Sequence, residues 1–195
     1  MTGSLIHGDH ISCSRVGGAM RHESSQLRRH AQSLADAISD LVATQEPHAD
    51  TSMTTMAATG TSATATSAAV ATSLRALLAT ADDLDRAGAA LQRFATDLAE
   101  GHELGRRAER RVQEAGLFLD GTRVIEPWGP ASAPEAERRR AELPEVQSRV
   151  DLATAHVGRA RGRLAREMTR LTEDFSAHSR DARLARQAPL PPRGI

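Results

Sequence analysis

Apolar and small residues recur at alternating steps of three and four down most of this chain, and few other folds tolerate that rhythm. Through the middle it reads Met53, Met56, Gly60, Ala63, Ser67, Val70, Leu74, Leu77, Ala81, Leu84, Gly88, Leu91, Ala95, Leu98. Such steps average 3.5 residues, the period that keeps one seam of a helix against a partner helix. The same spacing precedes it in Met20, Ser24, Leu27, Ala31, Leu34, Ile38 and Leu41. It returns in Leu143, Val146, Val150, Ala153, Val157, Ala160, Leu164, Met168, Leu171 and Phe175. The pattern predicts an all-α fold: an elongated, antiparallel, three-helix coiled-coil-like bundle forming a single domain over residues 14–186.

Punctuation sets the boundaries. Residues 1–13 are polar and read as a flexible N-terminus. A first helix over 14–44 ends before Pro47, and Asp50 is placed to cap a second. That second helix, 50–115, crosses a Thr/Ser/Ala tract at 51–73, read as helical because the three-four rhythm passes through it in phase. Gly101 and Gly105 weaken its last third and invite a bend, and Gly116 is a natural stop. Residues 117–133 break the period. Leu117 to Ile125 alternates around Asp120-Gly121, a strong short hairpin signal, and Glu126-Pro127-Trp128-Gly129-Pro130 follows as a stiff loop. A third helix over 134–185 opens with a proline in its first turn, and Pro144 is expected to kink or restart it. The tail, 187–195, reads as disordered. Folded back on the second helix, the third would set Arg161, Arg163, Arg166 and Arg170 beside Asp82, Asp83 and Asp85. The first helix, folding across Pro47, would flank the small residues of 64–79.

The content of the seam limits its strength. Alanine supplies much of the apolar count, aromatics are confined to Phe94, Phe118, Phe175 and Trp128, and tyrosine is absent. A buried leucine contributes about 1.5–3 kcal/mol and an alanine far less. So thin a seam suits a chain that packs against a second copy or another helical protein, as a homo- or heterodimer. Candidate partner-facing residues on exposed apolar stripes are Met53, Met56, Val70, Leu78 and Phe94. Trp128 either anchors a partner or caps the end of the bundle beneath the hairpin, and the cap is the preferred reading.

Charge and motifs exclude more than they assign. The 25 basic residues, all arginine, balance 25 acidic ones, which argues against a general nucleic-acid or membrane-surface binder. The basic clusters Arg138-Arg139-Arg140 and Arg159 to Arg170 are interleaved with glutamates, as on a self-paired solvated face. All-arginine usage suggests a GC-rich genome, as in actinobacteria. His7, Asp9, His10 and Cys13 have spacing compatible with zinc but lack the knuckles that present structural ligands, so no metal and no cofactor are expected. Cys13, the one cysteine, falls in phase with Gly17 and Met20 as a seam residue. No phosphate-binding loop, nucleophile elbow or carboxylate pair in a pocket-forming context occurs, and the reading is of a chain with no catalytic residues. The N-terminal stretch has neither the basic start nor the apolar run of a signal peptide, and no segment approaches the ~20 apolar residues of a membrane span.

The segment ISCSRVGGAMRHESSQLRRHAQSLADAISDL, its helical partner, and the string AGLFLDGTRVIEPWG together resemble helical modules of actinobacterial proteins related to the Trp-X-Gly superfamily of type VII secretion. The hairpin resemblance covers residues 14–116. It implies an antiparallel helical hairpin, pairing as a homo- or heterodimer, and export without a classical signal peptide through an ATPase-driven machine. Residues 44–50 stand where that superfamily carries Trp-X-Gly, and with no tyrosine the family's tyrosine-containing export signal is missing. The resemblance therefore implies a substrate whose partner supplies the signal, or a cytoplasmic companion of one. Two other readings compete: a cytoplasmic coiled-coil scaffold unrelated to secretion, and an arginine-rich nucleic-acid-binding module.

Overall fold

A computed structural model describes residues 5–45 and 57–187. The chain is all-α, with three helices that pack against one another and a two-stranded antiparallel ribbon between the second and third. Helix α1 spans His10–Gln45, α2 Ala57–Glu114, strand β1 Phe118–Asp120, β2 Arg123–Ile125 and α3 Ala133–Gln187. The residues fall into two compact units. Unit 1 comprises Met1–Gly17 with Ala89–Glu167, and unit 2 comprises Gly18–Gly88 with Met168–Ile195.

In unit 1 the anticipated seam of α3 is buried, as are Ala95 and Leu98 of the anticipated α2 seam, and burial on α2 runs on beyond it. Ala95, Leu98, Ala108 and Val112 of α2 are buried, as are Val146, Val150, Ala153, Val157 and Ala160 of α3. One cluster joins Ala108, Val112, Ala115, Leu117 and Val124 to Val146 and Val150; a second joins Ile6, Leu98 and Val157, with Phe94 packed against it. Arg111 pairs with Glu142 at 3.2 Å and Asp97 with Arg163 at 2.7 Å, so the two helices run antiparallel. Gly101 has a packing role. An added Cβ there would lie 2.3 Å from Val157 Cγ2, so glycine lets α3 approach α2 closely.

The end of α2 is a complete Schellman stop. Gly116 adopts φ 66°, its N–H donates to the Gln113 carbonyl, and the Leu117 N–H donates to the Val112 carbonyl. Leu117 then packs with Val112, the apolar contact that accompanies this motif.

Unit 2 is built differently. Its buried apolar residues among those described are Ala31, Ala81, Ala87 and Leu171, joined by Ser24 and Asp83. Arg21–Asp85 (3.1 Å) and Arg28–Asp82 (2.8 Å) set α1 antiparallel to α2, while Arg86–Asp174 (3.0 Å) and Asp83–His178 (3.3 Å) do the same for α2 and α3.

Several sequence expectations are corrected. Helix α1 begins at His10 rather than Ser14, and Leu5 and Ile6, in the stretch read as flexible, are packed. Asp9 caps the helix, accepting the Ile11 N–H at 2.9 Å and the Ser12 hydroxyl. Leu34 and Leu41 are 52% and 68% exposed, and Phe175 is also exposed, so these three stand outside the seams. Helix α3 continues through Pro144 without a restart. The expected pairing of Arg161–Arg170 with Asp82–Asp85 is displaced. Asp82 and Asp85 are taken by α1, and Arg163 bonds Asp97. The first turns of α3 are engaged elsewhere: Arg140 pairs with Glu126 and the Arg139 guanidinium lies against Gly116, so pairing with α2 starts only near Glu142. Pro47, Asp50, residues 51–56 and the tail from 188 lie outside the described residues. Within the Thr/Ser/Ala tract, residues 57–73 are helical.

Candidate interaction site

Between α2 and α3 the helical period gives way to the ribbon and the loop after it, which carry the most exposed large aromatics among the described residues. Its register is Phe118↔Ile125, Leu119↔Val124 and Asp120↔Arg123, closed by Gly121 and Thr122. Gly121 has φ 59°, as a two-residue hairpin turn requires at its first central position. Alternation then sorts the side chains. Val124 is buried and Leu119 packs beside it on the α2–α3 cluster, while Phe118, Asp120 and Arg123 point outward.

Phe118 is 59% exposed, with Ile125 directly across from it. Trp128 follows three residues later and is 97% exposed. The preferred reading of Trp128 as a cap is therefore wrong. Leu117 and Val124 cover that end of the cluster, and the Glu126–Pro130 loop carries Trp128 away from it. Pro127 and Pro130 stiffen the loop, and the Arg140–Glu126 ion pair (3.5 Å) ties its start to α3. A large apolar ring held on a braced loop in water is costly to present and is the residue type most favoured at binding hot spots.

Between the ribbon and α3 lies an open cavity of about 660 Å³, lined by Val124, Ile125, Glu126, Leu143, Gln147 and Asp151 among others. The Gln147 amide reaches the outer edge of β2. Its Oε1 accepts the Val124 N–H at 2.7 Å, and its Nε2 donates to the Thr122 carbonyl at 3.0 Å. Nε2 also donates to Asp151 Oδ1 at 2.8 Å, which orients the amide.

The other residues singled out from sequence are not gathered here. Phe94 is half-buried and packs in unit 1 against the Ile6–Leu98–Val157 cluster. Val70 is half-buried and Leu78 exposed, both in unit 2. Met53 and Met56 lie outside the described residues. The His10 ring lies tilted at 56° to that of His102, centroids 5.9 Å apart, and Cys13 is a half-buried free thiol. Among the described residues no group of three His, Cys, Asp or Glu side chains converges as a metal would need, and no helix is long and apolar enough to cross a membrane. The clustered arginines are partly self-paired: Arg139 with Glu135, Arg140 with Glu126, and Arg163 with Asp97.

Sequence reasoning missed Phe118, although the signal was present. The alternation that buries Leu119 and Val124 necessarily turns Phe118 and Ile125 the other way. No family model, curated protein or solved structure matches this chain.

Proposed function

We propose that this chain is a non-enzymatic, helical protein-interaction module that meets a protein partner through Phe118 on the inter-helix ribbon and Trp128 on the loop that follows it. The observation that carries the reading is the 97% exposure of Trp128 on a loop stiffened by two prolines. The helices supply a rigid base, and the ribbon, seated on their cluster through Leu119 and Val124, fixes where the aromatics stand. The narrower form of the proposal is that the chain resembles a type VII secretion substrate or the companion of one; the α1–α2 helical hairpin supports it.

Trp128 is the only tryptophan, so its fluorescence reports on the site alone. Adding a partner isolated with the tagged full-length chain from its host is expected to blue-shift the emission. Trp128→Ala should weaken that complex by roughly 30-fold or more, the hot-spot range, with circular dichroism unchanged. A complex that forms equally well with Trp128→Ala would refute this site. Export is tested separately, by following the tagged chain into the medium with and without the host's export ATPase.

A further inference from the structure

Trp128 and Phe118 offer aromatic faces to solvent, and this same chain carries a sequence of the kind that docks on such faces. After α3 come Pro189, Leu190, Pro191, Pro192 and Arg193. Pro189 and Pro192 have the Pro-x-x-Pro spacing of segments that lie against exposed aromatic rings. Proline fixes its own φ and restricts the residue before it, so such a run loses little backbone entropy on docking.

The outward face of the ribbon matches that chemistry in kind and in size. Phe118 and Asp120 point outward from β1, with Ile125 and Arg123 opposite them on β2. Phe118 and Ile125 make an apolar step, and the Asp120 carboxylate stands exposed beside it. Among the described residues Asp120 has no ion-pair partner, so it is open to a guanidinium. Trp128 lies at most about 11 Å of chain beyond Ile125. In the extended left-handed form that Pro-x-x-Pro segments take when bound, Pro189 to Arg193 covers about 12 Å. That length lets its prolines rest on the aromatic rings while Arg193 reaches Asp120.

We propose that the Trp128–Phe118 surface takes the Pro189–Arg193 run of a second copy of this chain. The proposal rests on the reading of these aromatics as a contact surface, and it names what they contact. The run of the same copy is out of reach. Trp128 precedes α3 and the run follows it, with 55 helical residues between, about 80 Å at 1.5 Å per residue. The stretch from Gln187 to Arg193 extends at most about 20 Å.

The test is tryptophan emission of the full chain against its own concentration, with sedimentation velocity on the same samples. Trp128 is the only tryptophan, so its emission should shift to the blue as chains associate. Pro189→Ala combined with Pro192→Ala should weaken that shift at least about tenfold in concentration, as loss of an interface anchor does. Trp128→Ala should weaken association by sedimentation as much, with circular dichroism unchanged in both variants. Mixing the two variants should restore a complex of two chains, because one brings an intact run and the other an intact Trp128. Wild-type emission that does not move with concentration would overturn the proposal. So would a shift that the double proline variant leaves intact; Trp128 would then be a contact surface for a different segment, and the broader reading would survive.

Discussion

Units 1 and 2 are built from the same three helices and the same sequence rhythm, yet they hold themselves together by different means. Unit 1 interlocks leucine and valine: Leu98, Val112, Val146, Val150 and Val157 are all buried. Its helices end in a Schellman stop and a ribbon that close the cluster. Among its described residues unit 2 buries alanine, serine, an aspartate and a single leucine, Leu171, and lines its helix contacts with arginine–aspartate pairs. Burial of aliphatic carbon contributes about 25 cal/mol per Å², whereas an exposed ion pair is worth about 0–1 kcal/mol. A regular heptad therefore says that helices will pack, and the side chains occupying it say how firmly. Unit 1 should be the stable part of the molecule, and unit 2 the part that opens first.

The comparison breaks most directly at Leu98, which is 1% exposed. Leu98→Ala should cost about 2–5 kcal/mol in denaturant unfolding, while Leu78→Ala in unit 2, at an exposed position, should change stability by less than about 0.5 kcal/mol. Equal losses would erase the distinction between the units. Gly101 gives the next largest effect. Glycine to alanine within a helix normally stabilises by about 0.5–1 kcal/mol, and Gly158→Ala on α3, with open space around it, should do so. Gly101→Ala should instead cost about 1–3 kcal/mol, because its methyl collides with Val157. The two melting temperatures should move in opposite directions.

Unit 2 offers a change of the reverse kind. The Ser24 hydroxyl is fully buried and has no hydrogen-bond partner among the described residues. Ser24→Ala removes that unsatisfied group and favours the helix, so a gain of about 1 kcal/mol is expected from thermal unfolding. A loss would mean that the hydroxyl is satisfied in solution. The smallest effect concerns the cap of α1. The Ser12 hydroxyl foremost, then the Ser12 and Ile11 amides, hold the Asp9 carboxyl below its ordinary 3.8. A lowered folded value means the cap's contribution is present above about pH 4 and is lost as pH falls through the folded value. Faster exchange of the Ile11 amide at pH 3 than intrinsic rates predict, abolished in Asp9→Asn, would check it.

These features were unequally legible in the sequence. The seams of α2 from Ala81 to Leu98 and of α3 from Leu143 to Leu171 stand where the three-four spacing put them, and so does the hairpin. The first helix was legible in part, and its seam was overextended for a geometric reason. Met20, Leu27, Leu34 and Leu41 lie seven apart, and on a straight helix such a series drifts by about 20° per heptad. Ser24 and Ala31 of the predicted seam are buried and Met20 and Leu27 half-buried, while Leu34 and Leu41 stand outside. Residues 5–9 are too few to show any period, and they are held chiefly through their backbone, which sequence does not display. Trp128 was misplaced because a lone tryptophan near an apolar cluster is usually inside it. Only the fold reveals that Leu117 and Val124 already fill that position.

Gln147 carries one more consequence. A two-stranded ribbon leaves main-chain groups on its outer edges, and such an edge invites strands from other molecules. By bonding both the Val124 N–H and the Thr122 carbonyl of the adjoining turn, the Gln147 amide plays the part of a neighbouring peptide unit, so two of the main-chain groups on that edge are already paired. The chain can thus keep a short β-structure beside exposed aromatics with fewer open main-chain groups on that edge for another strand to pair with.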